Sequence, residues 1–158
     1  MATRAAPAPT STPAELSATD ALAQLSFLIH GTLERRAAEH KLSMIQTRLL
    51  GVLRDRTPSV NELAKLLLLD KSSVSGLVDR AERRGLVTRV RSTEDRRAVL
   101  VSLTDAGRSL VASVSGQFEA DVAAILEGLP RSDRQALSRL VGRVLVAHAS
   151  DHGVDLFG

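Results

Sequence analysis

The chain has 158 residues, 44% hydrophobic and 25% charged, a size and balance that suit one globular domain with short appendages. It contains no cysteine, which excludes disulfides, thiolate metal sites, cysteine nucleophiles and thiol-based redox sensing. Aromatic residues are confined to Phe27, Phe118 and Phe157, so a core must be built from Leu, Val, Ala and Ile, which favours helices packed through aliphatic ridges. The net charge of +3 is small but unevenly spread: from Arg54 to Arg97 there are 11 Lys/Arg against 7 Asp/Glu, and elsewhere 10 against 11. The excess is densest from Arg80 to Arg97, where it would attract a polyanion such as DNA. On charge alone, a solvated basic face with no partner is the simpler account.

Residues 1–13, rich in Ala, Pro and Thr, lack the apolar segment of a signal peptide and read as a disordered tail. No apolar run approaches the ~20 residues that cross a bilayer, so no membrane partner is expected, and the expected compartment is the cytoplasm. Residues 14–40 place Leu22, Leu25, Leu28, Ile29 and Leu33 at three- and four-residue intervals, which predicts an amphipathic helix. Residues 43–54 repeat the pattern through Ile45, Leu49, Leu50 and Leu53, with Ser43 as the cap. After Thr57-Pro58, the order Ser59-Val60-Asn61-Glu62 matches a capping box for a short helix through Leu63, Leu66 and Leu67.

Asp70 can cap the next helix, which runs from Lys71 to about Arg84 over a buried stripe of Val74, Leu77, Val78 and Ala81 and stops at Gly85. Two short helices this close together form a helix-turn-helix. From Leu86 the period changes to two, and residues 86–91 and 98–103 read as the strands of a hairpin with a charged tip at residues 92–97. Thr104 can cap a helix to about Leu126, ended by Gly128 and Pro130, and a last helix runs from Ser132 to about His148.

The stretches DKSSVSGLVDRAERRGLV (Asp70 to Val87) and EDRRAVLVSLTDAG (Glu94 to Gly107), set in this order of helices, resemble the MarR family of bacterial transcriptional regulators over about residues 14–149. The resemblance implies a mainly α fold with a small β-hairpin wing, a winged helix-turn-helix whose terminal helices form a dimerisation domain. On that reading residues 14–42 are a dimerisation helix, 43–104 the DNA-binding domain, 105–149 the C-terminal dimerisation helices and 150–158 a tail. The implied function is sequence-specific regulation, expected to be repression, by a homodimer on a pseudo-palindromic operator in double-stranded DNA. Release by a small aromatic or phenolic effector is part of the same expectation. The alternative is a winged-helix interaction adaptor that binds no operator.

Candidate DNA-binding residues are Lys71, Ser72, Ser73 and Ser75, which would face the major groove, and Arg80, one turn on, which would grip the backbone. Gly76 stands where the resemblance leads one to expect a larger polar side chain. In the wing, Arg97 matches the family's arginine that enters the minor groove, and Asp95 can hold its guanidinium in a bidentate pair. Arg89, Arg91 and Arg96 are expected either at phosphates or as idle surface charge. An effector pocket is expected where the first, second and fifth helices approach the winged lobe, with Phe27, His30, Met44, Ile45 and Arg48 as candidate lining and core packing the plainer reading for Phe27, Met44 and Ile45. No cofactor is expected. His148 and His152 have metal-ligand spacing, but Gly153 argues for fraying there. No Walker loop, G-x-G-x-x-G, G-x-S-x-G or H-E-x-x-H motif occurs, so an enzyme is not expected.

Overall fold

A computed structural model describes residues 16–91 and 99–152 of the chain. Helix α1 (Ala18–Glu39) leads into a lobe of three helices, α2 (Met44–Asp55), α3 (Val60–Leu67) and α4 (Lys71–Arg83). An antiparallel hairpin follows, β1 (Val87–Arg91) with β2 (Val99–Leu103), and then two long helices, α5 (Asp105–Ile125) and α6 (Arg131–His152). This is the expected winged helix-turn-helix, and two of its bounds differ from expectation by several residues. Helix α1 begins at Ala18, where the Ser17 hydroxyl accepts from the Asp20 amide. Helix α6 continues to His152, since no glycine or proline interrupts the chain between Gly142 and Gly153.

Each helix of the lobe starts on a side-chain cap, a feature worth ~0.5–2 kcal/mol. Ser43 with Gln46 and Ser59 with Glu62 form complete capping boxes, while Asp70 accepts from the Ser73 amide. The helix ends share one design. After α1, α3 and α4, paired hydrogen bonds close back on the last turn around a left-handed residue at Lys41, Leu68 and Gly85 respectively. Only the third of these is glycine, so Lys41 and Leu68 hold a conformation that disfavours side chains by roughly 1–2 kcal/mol.

The core lies within the lobe. Leu49 and Leu50 of α2, Leu63 and Leu67 of α3, and Val74, Leu77 and Val78 of α4 are buried together with Val87 and Val101 of the hairpin. All are aliphatic, as composition required, and each contributes ~1.5–3 kcal/mol by leaving water. Arg84 ties the lobe to the turn after α1, donating to the Lys41 and His40 carbonyls at 2.9 and 3.0 Å. The hairpin is widened by the α2–α3 linker: the Val101 amide donates to the Pro58 carbonyl at 2.8 Å, and Ser59 bridges to Leu100.

The base of the hairpin is closed by contacts between its two ends. The Thr104 amide donates to the Leu86 carbonyl at 3.1 Å, and its hydroxyl donates to the Gly85 carbonyl at 2.6 Å. That hydroxyl also accepts from the Gly107 amide at 3.0 Å, which caps α5. A Cβ on Gly107 would lie 2.0 Å from the Leu86 carbonyl oxygen, a contact that only glycine permits.

Helices α1 and α5 are joined by charge. Arg36 makes a bidentate pair with Asp121, with both contacts at 2.7 Å, and Arg35 reaches the same carboxylate at 3.1 Å. The Arg36 hydrogen bonds hold the Asp121 carboxyl down at about 2, against an ordinary value of about 3.9. Among the described residues, no other element packs extensively against helix α6.

Two outcomes follow from these contacts. Gly107→Ala forces the base of the hairpin apart and is expected to cost at least ~1–3 kcal/mol in urea unfolding; an unchanged midpoint would contradict the close approach. Because the folded Asp121 carboxyl titrates below its unfolded value, its contribution to stability is present above about pH 4 and fades as pH falls towards about 2. The stability gap between wild type and Asp121→Asn, measured by denaturation at each pH, should therefore narrow across that window. A gap independent of pH would mean that the ion pair does not stabilise the fold.

Candidate nucleic-acid interface

Helix α4 has two chemically distinct faces. Its buried side is the stripe Val74, Leu77, Val78 and Ala81, spaced three and four apart, which fixes the helix's rotation on the lobe. That rotation leaves Lys71, Ser72 and Ser73 exposed at the N-terminal end, Ser75 half-buried, and Arg80 exposed one turn on. A Cβ on Gly76 would meet the Arg80 guanidinium at 3.4 Å, so Arg80 lies back over the space a side chain there would claim.

The serines at this tip have a defined polarity. The Asp70 carboxylate accepts from the Ser72 hydroxyl at 2.5 Å, the Ser73 hydroxyl at 2.6 Å and the Ser73 amide at 2.8 Å. These bonds hold the Asp70 carboxyl far below the usual carboxylate range, the serine hydroxyls acting most strongly. Each hydroxyl has one proton, and in this arrangement it points at Asp70. The oxygens therefore offer lone pairs outward, suited to amino donors such as adenine N6 or cytosine N4 in a major groove. Phosphate, which only accepts, is suited instead by Lys71 and Arg80.

The hairpin register decides where the wing arginines point. Val87, Arg89 and Arg91 pair with Leu103, Val101 and Val99, and alternation puts all six on one face of the sheet. That face is buried at Val87, Val101 and Leu103, so Arg89 is directed inward, against α4. Its guanidinium donates to both Asp79 and Glu82, and its backbone N–H reaches Glu82 Oε1 at 3.3 Å. The hydrogen bond to Asp79 is the main influence holding the Arg89 guanidinium above its ordinary value. Arg89 is thus engaged by two carboxylates of α4 and is not an idle surface charge. Arg91, nearer the tip, is exposed. Asp95, Arg96 and Arg97 lie outside the described residues.

Between α1, α2 and α5 lies a cavity of about 270 Å³. Its walls are apolar, from Leu33, Leu50, Leu110, Val114 and Phe118, with Thr47, Ser115, Arg48 and Arg54 as polar groups. Of the five expected lining residues only Arg48 borders it. Phe27 is 70% exposed and His30 is also exposed, because α1 turns them away from the lobe. Met44 is half-buried, and Ile45 packs against the core. Sequence reasoning missed Arg54 and the α5 residues that line the cavity. The missed signal is that Phe118 follows Leu110 and Val114 at intervals of four, on the face that α5 turns towards α2.

Comparison with known proteins agrees with this geometry. The pattern of the MarR family matches residues 40–98. MgrA of Staphylococcus aureus, an HTH-type transcriptional regulator, is 32% identical over 114 residues, which span 72% of this chain and 75% of MgrA. Two solved structures share the fold. A Staphylococcus aureus MepR variant bound to an oligodeoxyribonucleotide matches with a TM-score of 0.61 at 20% identity, over 84% of this chain and 99% of its own. NadR in complex with 4-hydroxyphenylacetate matches with a TM-score of 0.65 at 23% identity, over 85% and 97%. A capped helix-turn-helix, a wing clamped to its second helix and this degree of identity lead to one conclusion: the chain belongs to the MarR family of DNA-binding transcriptional regulators.

Proposed function

We propose that the chain acts as a homodimer that binds a pseudo-palindromic operator, with α4 of each subunit in a major groove and each wing in the adjacent minor groove. The observation that carries this reading is the two-faced α4: an aliphatic stripe locks it to the lobe, while lysine, serine and arginine remain exposed on the outer side. The oligonucleotide-bound MepR variant shares this fold, which supports the same use here. Repression is the regulatory action we assign, because a protein seated on a promoter blocks access to it.

Dimerisation is supported by the apolar surface outside the lobe. Leu140, Val144 and Leu145 of α6 are exposed, Val144 to 61%, as are Leu22 and Leu28 of α1. An apolar face this extensive, on a helix that no other described element packs against extensively, supports association through it. The division into a dimerisation helix (14–42), a DNA-binding domain (43–104) and C-terminal dimerisation helices (105–149) follows from it. We place Arg97, with Asp95 orienting it, in the minor groove, and Arg91 and Arg96 at phosphates.

We assign the α1–α2–α5 cavity to a small aromatic acid or phenol. Its size is near the lower end of ligand cavities, about 300–1,000 Å³, and Arg48 and Arg54 border apolar walls with cationic groups. The complex of NadR with 4-hydroxyphenylacetate shows such a compound on a protein of this fold. Helix α5 lines the cavity and begins at the hairpin base, so a ligand that shifts α5 would move the wing.

The reading is tested on an operator selected from random duplex DNA. Arg97→Ala is expected to weaken binding by ~1–3 kcal/mol while sedimentation still reports a dimer. With ~6–10 phosphate contacts per dimer, affinity should fall ~10³–10⁵-fold between about 50 and 200 mM salt. A monomer in solution, or a flat salt response, would overturn it. For the cavity, a panel of benzoic acids and phenols should include compounds that raise the melting temperature and lower operator affinity together. If none stabilises the protein, the cavity is not a ligand site.

A further inference from the structure

We propose that Arg89 is a positioning residue: it braces the wing against the recognition helix and so sets the spacing between the two groove-reading elements, without itself contacting DNA. The inference rests on the DNA-binding reading above and specifies how one part of that interface is held.

Three observations converge on it. The first is direction. Alternation from buried Val87 sends Arg89 to the inner face of the hairpin, where its side chain is 29% exposed against α4. The second is partnership. Asp79 and Glu82 lie three residues apart, one turn of α4, and both accept from the one guanidinium, while Glu82 also accepts from the Arg89 backbone. A guanidinium forked between two carboxylates has a fixed orientation, which a single-point lysine ammonium would not have. The third is charge. Arg89, Asp79 and Glu82 together carry a net negative charge, so an approaching phosphate meets repulsion before it meets an available cation.

The mechanical need for a brace is visible next to it. Between α4 and β1 the chain passes through three residues, Arg84, Gly85 in the left-handed conformation with φ of 69°, and Leu86. So short a connection leaves a pivot, from which the hairpin must hold a set distance to α4. The Thr104 contacts hold the hairpin at its base, at the pivot itself. Arg89 joins hairpin to helix three residues further out, where a given restraint limits tilt more effectively.

The experiment turns on a sign. In the full-length protein, Asp79→Asn combined with Glu82→Gln removes two negative charges from the DNA-binding lobe and leaves Arg89 unpaired. A phosphate-contacting Arg89 would then bind DNA more tightly. A brace predicts the reverse, operator affinity lowered about tenfold, with a similar loss for Arg89→Ala and a smaller one for Arg89→Lys, which can reach one carboxylate at a time. Amide hydrogen exchange without DNA supplies a readout independent of the operator: the amides of Val90, Arg91 and Val99 should exchange faster in both variants, while those of Leu49, Leu63 and Leu77 keep their wild-type rates. Unchanged exchange at the hairpin overturns the brace. Faster exchange with unchanged or tighter operator binding overturns the positioning role. A wild-type protein that binds no duplex overturns the DNA-binding reading and the positioning role with it, whereas faster exchange in the variants would still establish the mechanical contact.

Discussion

The architecture depends on the close approach of Gly107 to the Leu86 carbonyl. At this point the end of the recognition helix, the first strand, the second strand and the start of α5 all meet within a few residues. Thr104 joins them through one hydroxyl that donates to Gly85 and accepts from Gly107. With a side chain at residue 107, β2 could not return beside Leu86 and turn into α5 in the same space. The junction is therefore steric as well as hydrogen-bonded, and it relates the helix-turn-helix lobe to the helix that lines the cavity. The αL conformation at Gly85 belongs to the same constraint, because it reverses the chain from α4 into the strand.

A second principle is the distribution of charge. The basic excess in the middle of the sequence suggests a broad cationic surface, but the structure divides it. Arg84 is bound to two carbonyls at the α1–α2 turn, and Arg89 to two carboxylates of α4. Both hold parts of the lobe together, while Lys71, Arg80, Arg83 and Arg91 are exposed. The serines at the tip of α4 are divided in the same way, since their protons face Asp70 and their lone pairs face outward. Arginine count alone therefore overstates the cationic surface, and partner geometry decides which positive charges are presented.

Much of the fold was legible because local chemistry and global packing agree. Ser43, Ser59, Asp70 and Thr104 were each identified as caps and each accepts the expected amide. The stripe through Val74, Leu77, Val78 and Ala81 is buried as its spacing predicted, and the hairpin strands differ from expectation by one residue. The cavity was legible in its place, among the first, second and fifth helices, but not in its lining. Its walls come from three helices distant in sequence, and helical periodicity gives each helix an inner face without saying which faces leave space between them. The partners of Arg89 are legible only from its position in the strand, not from its charge. Two residues after buried Val87, an alternating strand puts it on the inner face. A charged residue in an inward position requires a partner, and Asp79 and Glu82, one helical turn apart, were already present in the sequence.

The same logic explains why two helix ends end on residues that disfavour the left-handed conformation. Lys41 and Leu68 close α1 and α3 with the hydrogen bonds that Gly85 provides for α4, although each carries a side chain. At Lys41, the strain falls at a turn that Arg84 also holds through the Lys41 and His40 carbonyls, so tertiary bonds offset it. At Leu68, the turn leads within two residues to Asp70, whose cap orients the recognition helix. The conformation at Leu68 is thus fixed from both sides, by the α3 carbonyls behind it and the α4 cap ahead. A strained residue is retained where its neighbours over-determine the backbone. The helix-turn-helix needs such a residue at Leu68 because the direction of α4, and with it every contact assigned to its outer face, is set within three residues of chain.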